Sequence, residues 1–240
     1  MNRIVMLDIS FNFGGRNEVI YPVVLQDEND LMLIDCGYPN FLPLIEEAAK
    51  TKGIHMNTLT KILVTHHDAD HMGSLADLKR KYPQVQILSS VEDEPFISGK
   101  KESLRLQQAK AIYSTLPEEE KEQARKFEQF LASIEHTEVD ILLKDGDSFP
   151  WFGGIEIIAT PGHMPGHISV YHKESKTLIA GDAVVVENGE LAIANPQYTL
   201  DMEEAKKSIQ KLLHYEIDQL ICYHGGVYDK KIKDSLSKLF

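Results

Sequence analysis

The sequence has 240 residues, of which 42% are hydrophobic and 26% are charged, a composition typical of globular proteins that bury a core. Its formal net charge of −12 argues against nucleic acid or an anionic membrane surface as a partner, because phosphate groups are bound by basic surfaces. The two cysteines, Cys36 and Cys222, are too few for a disulfide framework, so we expect two buried thiols.

The sequence shows no segment that would direct it into or across a membrane. No apolar stretch reaches the roughly 18–20 residues of a membrane span. The apolar run at the N-terminus is short and is interrupted by Asp8, which is not typical of a signal peptide. These features predict a soluble, cytoplasmic protein.

Short runs rich in β-branched residues, separated by turn residues, predict strands in the first part of the chain. These runs cover residues 3–9, 18–26, 31–37, 60–65 and 85–89. The spacing of apolar residues predicts helices over 40–53 and 72–83, the first ending at Gly53 and the second at Pro83.

Residues 91–136 have a different pattern, a long and charged helical segment interrupted at Pro117. Strands resume at 139–143, 154–160, 167–172 and 176–182. A helix at 201–215, a strand at 218–226 and a terminal helix from about Asp229 complete the chain. Strands followed by strand–helix units in each half predict two similar layers that face each other, with the helical segment inserted between them.

Side chains that can bind metal follow four of the predicted strands. The stretch THHDADHMG, residues 65–73, comes directly after one strand, and His163, Asp182 and His224 stand at the ends of three later ones. Functional groups collect in such loops, and imidazole with carboxylate suits zinc, iron or manganese. Taken singly, Asp182 would be read as a turn former and His224 as a capped or surface histidine. The four positions together predict a metal site.

The order of these segments resembles the metallo-β-lactamase superfamily of metal-dependent hydrolases. The family signature is His-x-His-x-Asp-His after a strand, then a histidine in a TPGH turn, an aspartate in GD and a final histidine. This chain reads HHDADH, TPGHMPGH, AGDA and YHGG, and LIDCG at 33–37 looks like the family's early Asp-x-Gly turn. The resemblance covers roughly residues 18–226.

The resemblance implies an α+β fold, an αββα sandwich of two facing mixed β-sheets with outer helices. It also implies a single domain over residues 1–240 with a helical insertion at about 91–136. The insertion is expected to wall a pocket or to form a homodimer contact, a solvated pair of helices being the alternative. The FNFGGRN turn (11–17) is expected to form a hairpin flap over the site with Phe11 and Phe13 facing substrate, ordinary core or edge aromatics being the alternative.

The resemblance also implies a centre for two divalent metal ions. Ligands of the first ion would be His66, Asp68 and His163. Ligands of the second would be Asp70, His71 and His224. Asp182 would bridge the two ions, and His167 is expected to support the site without binding metal.

Asp68 stands where the family has its second histidine. One alternative makes His67 the ligand, although Asp70 and His71 fit the unshifted pattern. Two divalent ions, two carboxylates and a bridging hydroxide leave one net positive charge, which Asp68 cancels. That tilts the preference from zinc, the most available ion, towards iron or manganese. In the remaining alternative Asp68 binds nothing and the first site is weak or empty.

The activity implied by the resemblance is that of a binuclear metal-dependent hydrolase. A metal-bridging hydroxide would attack a small ester, thioester or lactone, and a small-molecule substrate is the expected partner. Asp70 would bind metal and exchange a proton with the nucleophile or leaving group. Tyr198 is a candidate hydrogen-bond donor to the oxyanion, a packing role being the alternative.

Two rival functions come from other classes. The set of His66, Asp68 and His163 has the composition of a mononuclear iron triad, so the first rival is an iron-dependent oxidoreductase resembling sulfur dioxygenases. The second rival is a metal-stabilised binding module without turnover.

Overall fold

The computed structural model describes residues 2–240, apart from the side chain of Phe13, so the expectation for that ring lies outside the described residues. Within this range the strands are β1 (Arg3–Met6), β2 (Ile9–Phe13), β3 (Arg16–Ile20), β4 (Val23–Gln26), β5 (Leu31–Ile34), β6 (Lys61–Leu63), β7 (Gln86–Ser90), β8 (Ile141–Leu143), β9 (Ser148–Phe149), β10 (Ile155–Ala159), β11 (Ile168–His172), β12 (Thr177–Ile179), β13 (Val185–Glu187), β14 (Glu190–Ala192), β15 (Gln219–Cys222) and β16 (Gly226–Tyr228). The α-helices are α1 (Leu42–Thr51), α2 (Ala69–Met72), α3 (Leu75–Lys81), α4 (Glu94–Ile97), α5 (Leu104–Tyr113), α6 (Glu118–Ala132), α7 (Met202–Leu212) and α8 (Ile232–Leu236).

Most strands belong to two six-stranded mixed sheets. In the first sheet, ordered β1-β4-β5-β6-β7-β8, the strands from β5 to β8 run parallel and β1 and β4 pair antiparallel. In the second, ordered β16-β15-β12-β11-β10-β9, only β12 and β15 pair in parallel among the described strands. The pairs β2–β3 and β13–β14 form separate hairpins.

Successive residues of the central strands are apolar and point to opposite faces of the sheet, so each sheet has two buried faces. Leu25 of β4 and Ile157 of β10 lie in the cluster between the sheets. Val24 lies in an outer cluster with residues of α1 and α3, and Ile158 lies in the opposite outer cluster with residues of α7 and α8. The predicted αββα sandwich of two mixed sheets with outer helices is confirmed.

Two predicted strands are broken where the chain moves between a hairpin and the first sheet. The strand predicted at 3–9 is divided between β1 and β2, and the strand predicted at 18–26 is divided between β3 and β4. Pro22 lies at the second break and has no N–H group to continue the ladder. The terminal helix begins at Ile232, later than predicted, because Lys231 has a left-handed φ of +45° that is not helical.

The helices α4, α5 and α6 lie between β7 and β8, where the charged segment was predicted, and α6 begins directly after Pro117. Ser103 caps α5 by accepting a hydrogen bond from the Leu106 N–H, which satisfies one free donor of the first turn. Both cysteines are buried thiols. Within residues 2–240, no helix is both long enough and apolar enough to cross a membrane.

Candidate metal centre

The fold brings all seven predicted ligands to one edge of the sandwich. The potential ligand atoms within each of three groups lie within 4.8 Å of one another. These groups are His66, Asp68 and His163; His66, His71 and Asp182; and Asp70, His71 and His224. Two of the three match the ligand sets predicted for the first and second ions.

The first motif reaches the centre through the loop after β6 and the short helix α2. Asp68 is the residue before α2, while Asp70 and His71 lie within the helix. The rings of His66 and His71 come to 4.0 Å between centroids. One helical turn therefore places side chains of the same motif on both groups.

His224 reaches the centre from the second sheet, where two hairpins hold its backbone. It forms a β-bridge with Ile20 of β3, and its carbonyl accepts a hydrogen bond from the Val186 N–H of β13. Its Nε2 lies 3.1 Å from Asp70 Oδ2. The second group is therefore assembled from both sheets.

Asp182 lies between the group of His66, Asp68 and His163 and the group of Asp70, His71 and His224. Its Oδ2 is 3.5 Å from His71 Nε2, 3.7 Å from His163 Nε2 and 3.5 Å from His224 Nε2. This is the placement required of a bridging carboxylate.

The residues fit bound divalent metal. His66 Nε2, His71 Nε2 and Asp182 Oδ1 are buried, and none has a hydrogen-bond partner among the described residues. Buried polar atoms of this kind are usually paired, and these three lie in the groups described above. Four imidazoles and three carboxylates form a donor set suited to zinc, iron or manganese.

The charges of the buried groups are interdependent. Burial disfavours charge on His71, yet Asp35, Asp70 and Asp182 raise the pKa of His71 well above its ordinary value. Burial likewise opposes ionisation of Asp182, but His224 and His71 hold the pKa of Asp182 well below its ordinary value. The raised pKa of His71 favours a proton on its imidazole, which a bound metal ion would displace.

Asp35 and Thr65 fix which nitrogens of two histidines face the centre. Asp35 Oδ2 accepts hydrogen bonds from His71 Nδ1 at 2.9 Å and from the Thr65 hydroxyl at 2.8 Å. The Thr65 hydroxyl lies 3.1 Å from His66 Nδ1. This leaves Nε2 of both rings directed at the metal centre, the arrangement by which carboxylates orient ligating histidines. The LIDCG motif thus supplies an orienting residue.

His167 supports Asp182, as predicted. Its Nε2 accepts a hydrogen bond from the Asp182 N–H at 3.0 Å, and its Nδ1 lies 2.8 Å from the Thr160 hydroxyl. Burial lowers the pKa of His167 to about 3, so the ring is neutral at neutral pH and can accept this bond.

We expect His167→Leu to weaken metal binding by about 10–100-fold, the usual effect of removing a hydrogen-bond partner of a metal ligand. The substitution leaves the Asp182 N–H and the Thr160 hydroxyl without their partner. Titration of metal-free protein with Zn²⁺ measures the change. His214→Leu, at an exposed histidine, is the control and should bind Zn²⁺ like the unmodified protein. Equal affinities in both variants would contradict this role.

Gly181 allows Asp182 to approach the centre closely. Its φ is +54°, and a Cβ there would lie 2.7 Å from His167 Nε2. Gly181→Ala should therefore combine left-handed strain of about 1–2 kcal/mol with displacement of His167. Gly189 has a φ of +81°, and nothing lies within 4 Å of the Cβ that Gly189→Ala would add. That variant therefore measures the strain alone. Urea unfolding should show the larger loss for Gly181→Ala; equal losses would contradict the close contact.

Arg105 is a functional residue that the sequence pattern did not reveal. It is buried in the first turn of α5, where its Nε and Nη2 donate to Asp68 Oδ1 and Oδ2 at 3.1 and 2.7 Å. The same Asp68 Oδ2 lies 3.1 Å from His163 Nε2. Burial opposes charge on Asp68, but His163, His66 and Arg105 hold the pKa of Asp68 well below its ordinary value.

Arg105 changes the charge sum drawn from the sequence. That sum counted Asp68 as an added negative charge, whereas the fold places a guanidinium directly against it. With Arg105 included, the centre regains the net positive charge that Asp68 removes. The preference for iron or manganese that was argued from Asp68 therefore loses its electrostatic basis, and the native ion stays open.

His67 points away from the centre, as the unshifted pattern predicts. Its Nδ1 lies 3.0 Å from Asp93 Oδ2, and its ring stacks on Phe96 at 4.3 Å between centroids. The alternative in which His67 replaces Asp68 as a ligand does not fit this orientation.

A cavity of about 590 Å³ opens over the centre, within the size range of small-molecule sites. Tyr198 lines it and is 48% exposed, with the Arg105 guanidinium 5.7 Å from its ring centroid. Its role as a hydrogen-bond donor stays a prediction. Tyr38, which the sequence did not single out, also lines the cavity; burial and the nearby Asp70 raise its pKa, so its phenol stays protonated.

Comparisons with known proteins agree with this geometry. Residues 16–224 match the model of the metallo-beta-lactamase superfamily. The chain is 28% identical over 235 residues to the probable metallo-hydrolase YflN of Bacillus subtilis (strain 168), covering 92% of this chain and 85% of that protein. It is 28% identical over 166 residues to a hydroxyacylglutathione hydrolase of Brucella anthropi, covering 68% of this chain and 46% of that protein.

The fold has a solved counterpart in a metallo-beta-lactamase family protein from Thermus thermophilus. The two superpose with a TM-score of 0.75 at 18% identity, over 98% of this chain and 77% of that one. The family match covers most of the chain and includes all seven predicted ligands. The chain therefore belongs to the metallo-beta-lactamase superfamily, and the predicted enzyme class, a metal-dependent hydrolase, is confirmed.

Proposed function

We propose that this protein is a binuclear hydrolase of a small ester, thioester or lactone. The observation that carries the proposal is the position of Asp182 between two groups, each of which combines histidine with carboxylate. Relatives named metallo-hydrolase and hydroxyacylglutathione hydrolase support hydrolysis as the reaction.

When bound, two divalent ions would supply a water whose pKa falls from about 15.7 towards about 7 and would polarise the substrate carbonyl. His66, Asp68 and His163 would hold one ion, and Asp70, His71 and His224 the other. Asp182 would hold both at a fixed separation. Asp35 and Thr65 keep the two histidines of the first motif in their binding orientation.

Asp70 is proposed to move the proton. Hydrolysis adds the hydroxyl of water to the acyl carbon, breaks the bond to the leaving oxygen or sulfur, and requires a proton on that atom. Asp70 lies at the cavity and faces His224, so it would take the proton of the attacking water and return it to the leaving group. Tyr198 and Tyr38 both line the cavity. Each is proposed to donate a hydrogen bond to the oxyanion.

The test is hydrolysis of phenyl acetate, S-acetyl-N-acetylcysteamine and γ-butyrolactone by protein reconstituted with Zn²⁺, Mn²⁺ or Fe²⁺. We expect turnover of at least one compound, loss of turnover after chelation, and recovery when metal is returned. No turnover with any ion would contradict the proposal. Oxygen uptake with a persulfide substrate would favour the rival oxidoreductase instead.

A further inference from the structure

A row of aromatic side chains lines one side of the cavity. Phe11 and Tyr38 lie 5.5 Å apart between ring centroids, Tyr38 and Phe130 lie 6.4 Å apart, and Phe130 and Phe127 lie 6.5 Å apart. All four residues line the cavity, and they are called the aromatic wall below. The four rings form a connected row with no charged side chain among them.

The aromatic wall extends from the metal centre to solvent. Tyr38 lines the same cavity as Asp68, Asp70 and Asp182. At the other end, Phe127 is 42% exposed. Phe11, Tyr38 and Phe130 pack partly against the outer core, whereas Phe127 lies outside that packed set. Aromatic side chains grouped along a cavity are typical of small-molecule binding sites.

The charges that line the cavity disfavour a net-negative leaving group. Apart from Arg105, which is paired with Asp68, the cationic lining residue is Arg16, and Glu18 and Glu187 also line the cavity. Glutathione, whose two carboxylates and one ammonium leave a net negative charge, would meet one arginine and two glutamates. An uncharged leaving group avoids that repulsion.

We propose that the aromatic wall binds the acyl group of the substrate, and that the substrate is a medium-chain or aryl acyl ester, thioester or lactone with an uncharged leaving group. This inference rests on the proposed hydrolase function and narrows its substrate class. Burial of each additional methylene against the wall strengthens binding, so the acyl chain is the part of the substrate that sets specificity.

Three thioesters test the proposal: S-acetyl-N-acetylcysteamine, S-octanoyl-N-acetylcysteamine and S-octanoylglutathione. We expect kcat/KM for the octanoyl compound to exceed that for the acetyl compound by at least about 10-fold, since a hydrophobic pocket separates chain lengths by that much. We expect kcat/KM for S-octanoyl-N-acetylcysteamine to exceed kcat/KM for S-octanoylglutathione by a similar factor. Equal values, or preference for the acetyl or glutathione compound, would overturn the proposal.

Variants distinguish loss of the aromatic wall from general damage to the protein. Phe127→Ala and Phe130→Ala should each lower the octanoyl-to-acetyl ratio of kcat/KM, by about 10-fold when combined. Ile112→Ala removes an exposed apolar side chain, 53% exposed, from the neighbouring helix α5 and should leave the ratio unchanged. A ratio that persists in the double variant would overturn the role of the wall.

Calorimetry of metal-loaded protein with octanoate and acetate distinguishes failure of this inference from failure of the hydrolase proposal. Both compounds present the same carboxylate, so a difference in Kd reports the apolar chain alone. At least about 10-fold tighter binding of octanoate, lost in the Phe127→Ala/Phe130→Ala variant, would support the wall even if no thioester were hydrolysed. Equal Kd values would overturn it, whatever the hydrolysis assay shows.

Discussion

Asp182→Ala is expected to weaken metal binding by more than about 100-fold, which is more than the loss of a hydrogen-bond partner of a metal ligand causes. The same change should lower the rate of hydrolysis by roughly 10³-fold or more. The physical reason is its position: one carboxylate oxygen lies within 3.7 Å of imidazole nitrogens on both sides of the centre. Without it, His71 and His163 lose the negative charge they share. Zn²⁺ titration and the thioester assay measure the two effects.

His163→Ala should behave similarly, because it removes the imidazole that faces both Asp68 and Asp182. Asp229→Ala, which removes an exposed aspartate near the C-terminus, is the matched control and should retain both metal and activity. Full activity in either Asp182→Ala or His163→Ala would show that the site assignment is wrong.

Arg105→Met is expected to destabilise the metal-free protein by about 3 kcal/mol, the lower end of the cost of leaving one partner of a buried ion pair unpaired. The lower end applies because His163 and His66 still lie 3.1 and 3.5 Å from the remaining carboxylate. The change also removes the charge that compensates Asp68 in the centre. Urea unfolding of metal-free protein gives the free energy of unfolding.

A double-mutant cycle isolates the pair. Asp68→Asn combined with Arg105→Met should recover a large part of the lost stability, because neither buried charge then lacks its partner. Arg125→Met, at an exposed arginine of α6, should change stability by no more than about 0.5 kcal/mol. Additive effects of the Asp68 and Arg105 substitutions would mean that the two side chains do not depend on one another.

The sequence could predict the metal centre because each ligand stands next to a strand end. His66, His163 and His224 follow β6, β10 and β15, and the sandwich brings these strand ends to a common edge. The match of residues 66–71 to the family signature distinguished His66 and His71 from His67, whose ring is turned to Asp93 and Phe96. The strands themselves were recognisable from their apolar pattern.

Arg105 could not be predicted in the same way. It follows Asp68 by 37 residues in a charged helical segment where nothing in the apolar spacing separates it from neighbouring lysines. Its contact depends on how α5 docks against the centre, which is a property of the tertiary fold. A weak signal was present: a carboxylate at a histidine position in a buried site calls for a nearby cation.

A hairpin at residues 11–17 was expected and is present as β2–β3, but the ends of the strands around it were missed for a related reason. The strands predicted at 3–9 and 18–26 are mostly apolar, with Asp8 and Pro22 at their breaks, and the chain leaves the first sheet between β1 and β4 to form β2 and β3. Pairing across the sheet decides where such a strand ends, and local propensity does not record it. The consequence is functional, since β3 supplies the bridge to His224 and β2 supplies Phe11 of the aromatic wall.

The metal content of the purified protein tests the binuclear centre most directly. Elemental analysis of protein produced without added metal should give about two equivalents of Zn, Fe and Mn combined per chain, as a two-metal site requires, and Asp182→Ala should carry far less. The identity of the ions decides the preference that Asp68 and Arg105 leave open. One equivalent per chain, unchanged by added metal, would contradict the binuclear centre and favour a mononuclear site.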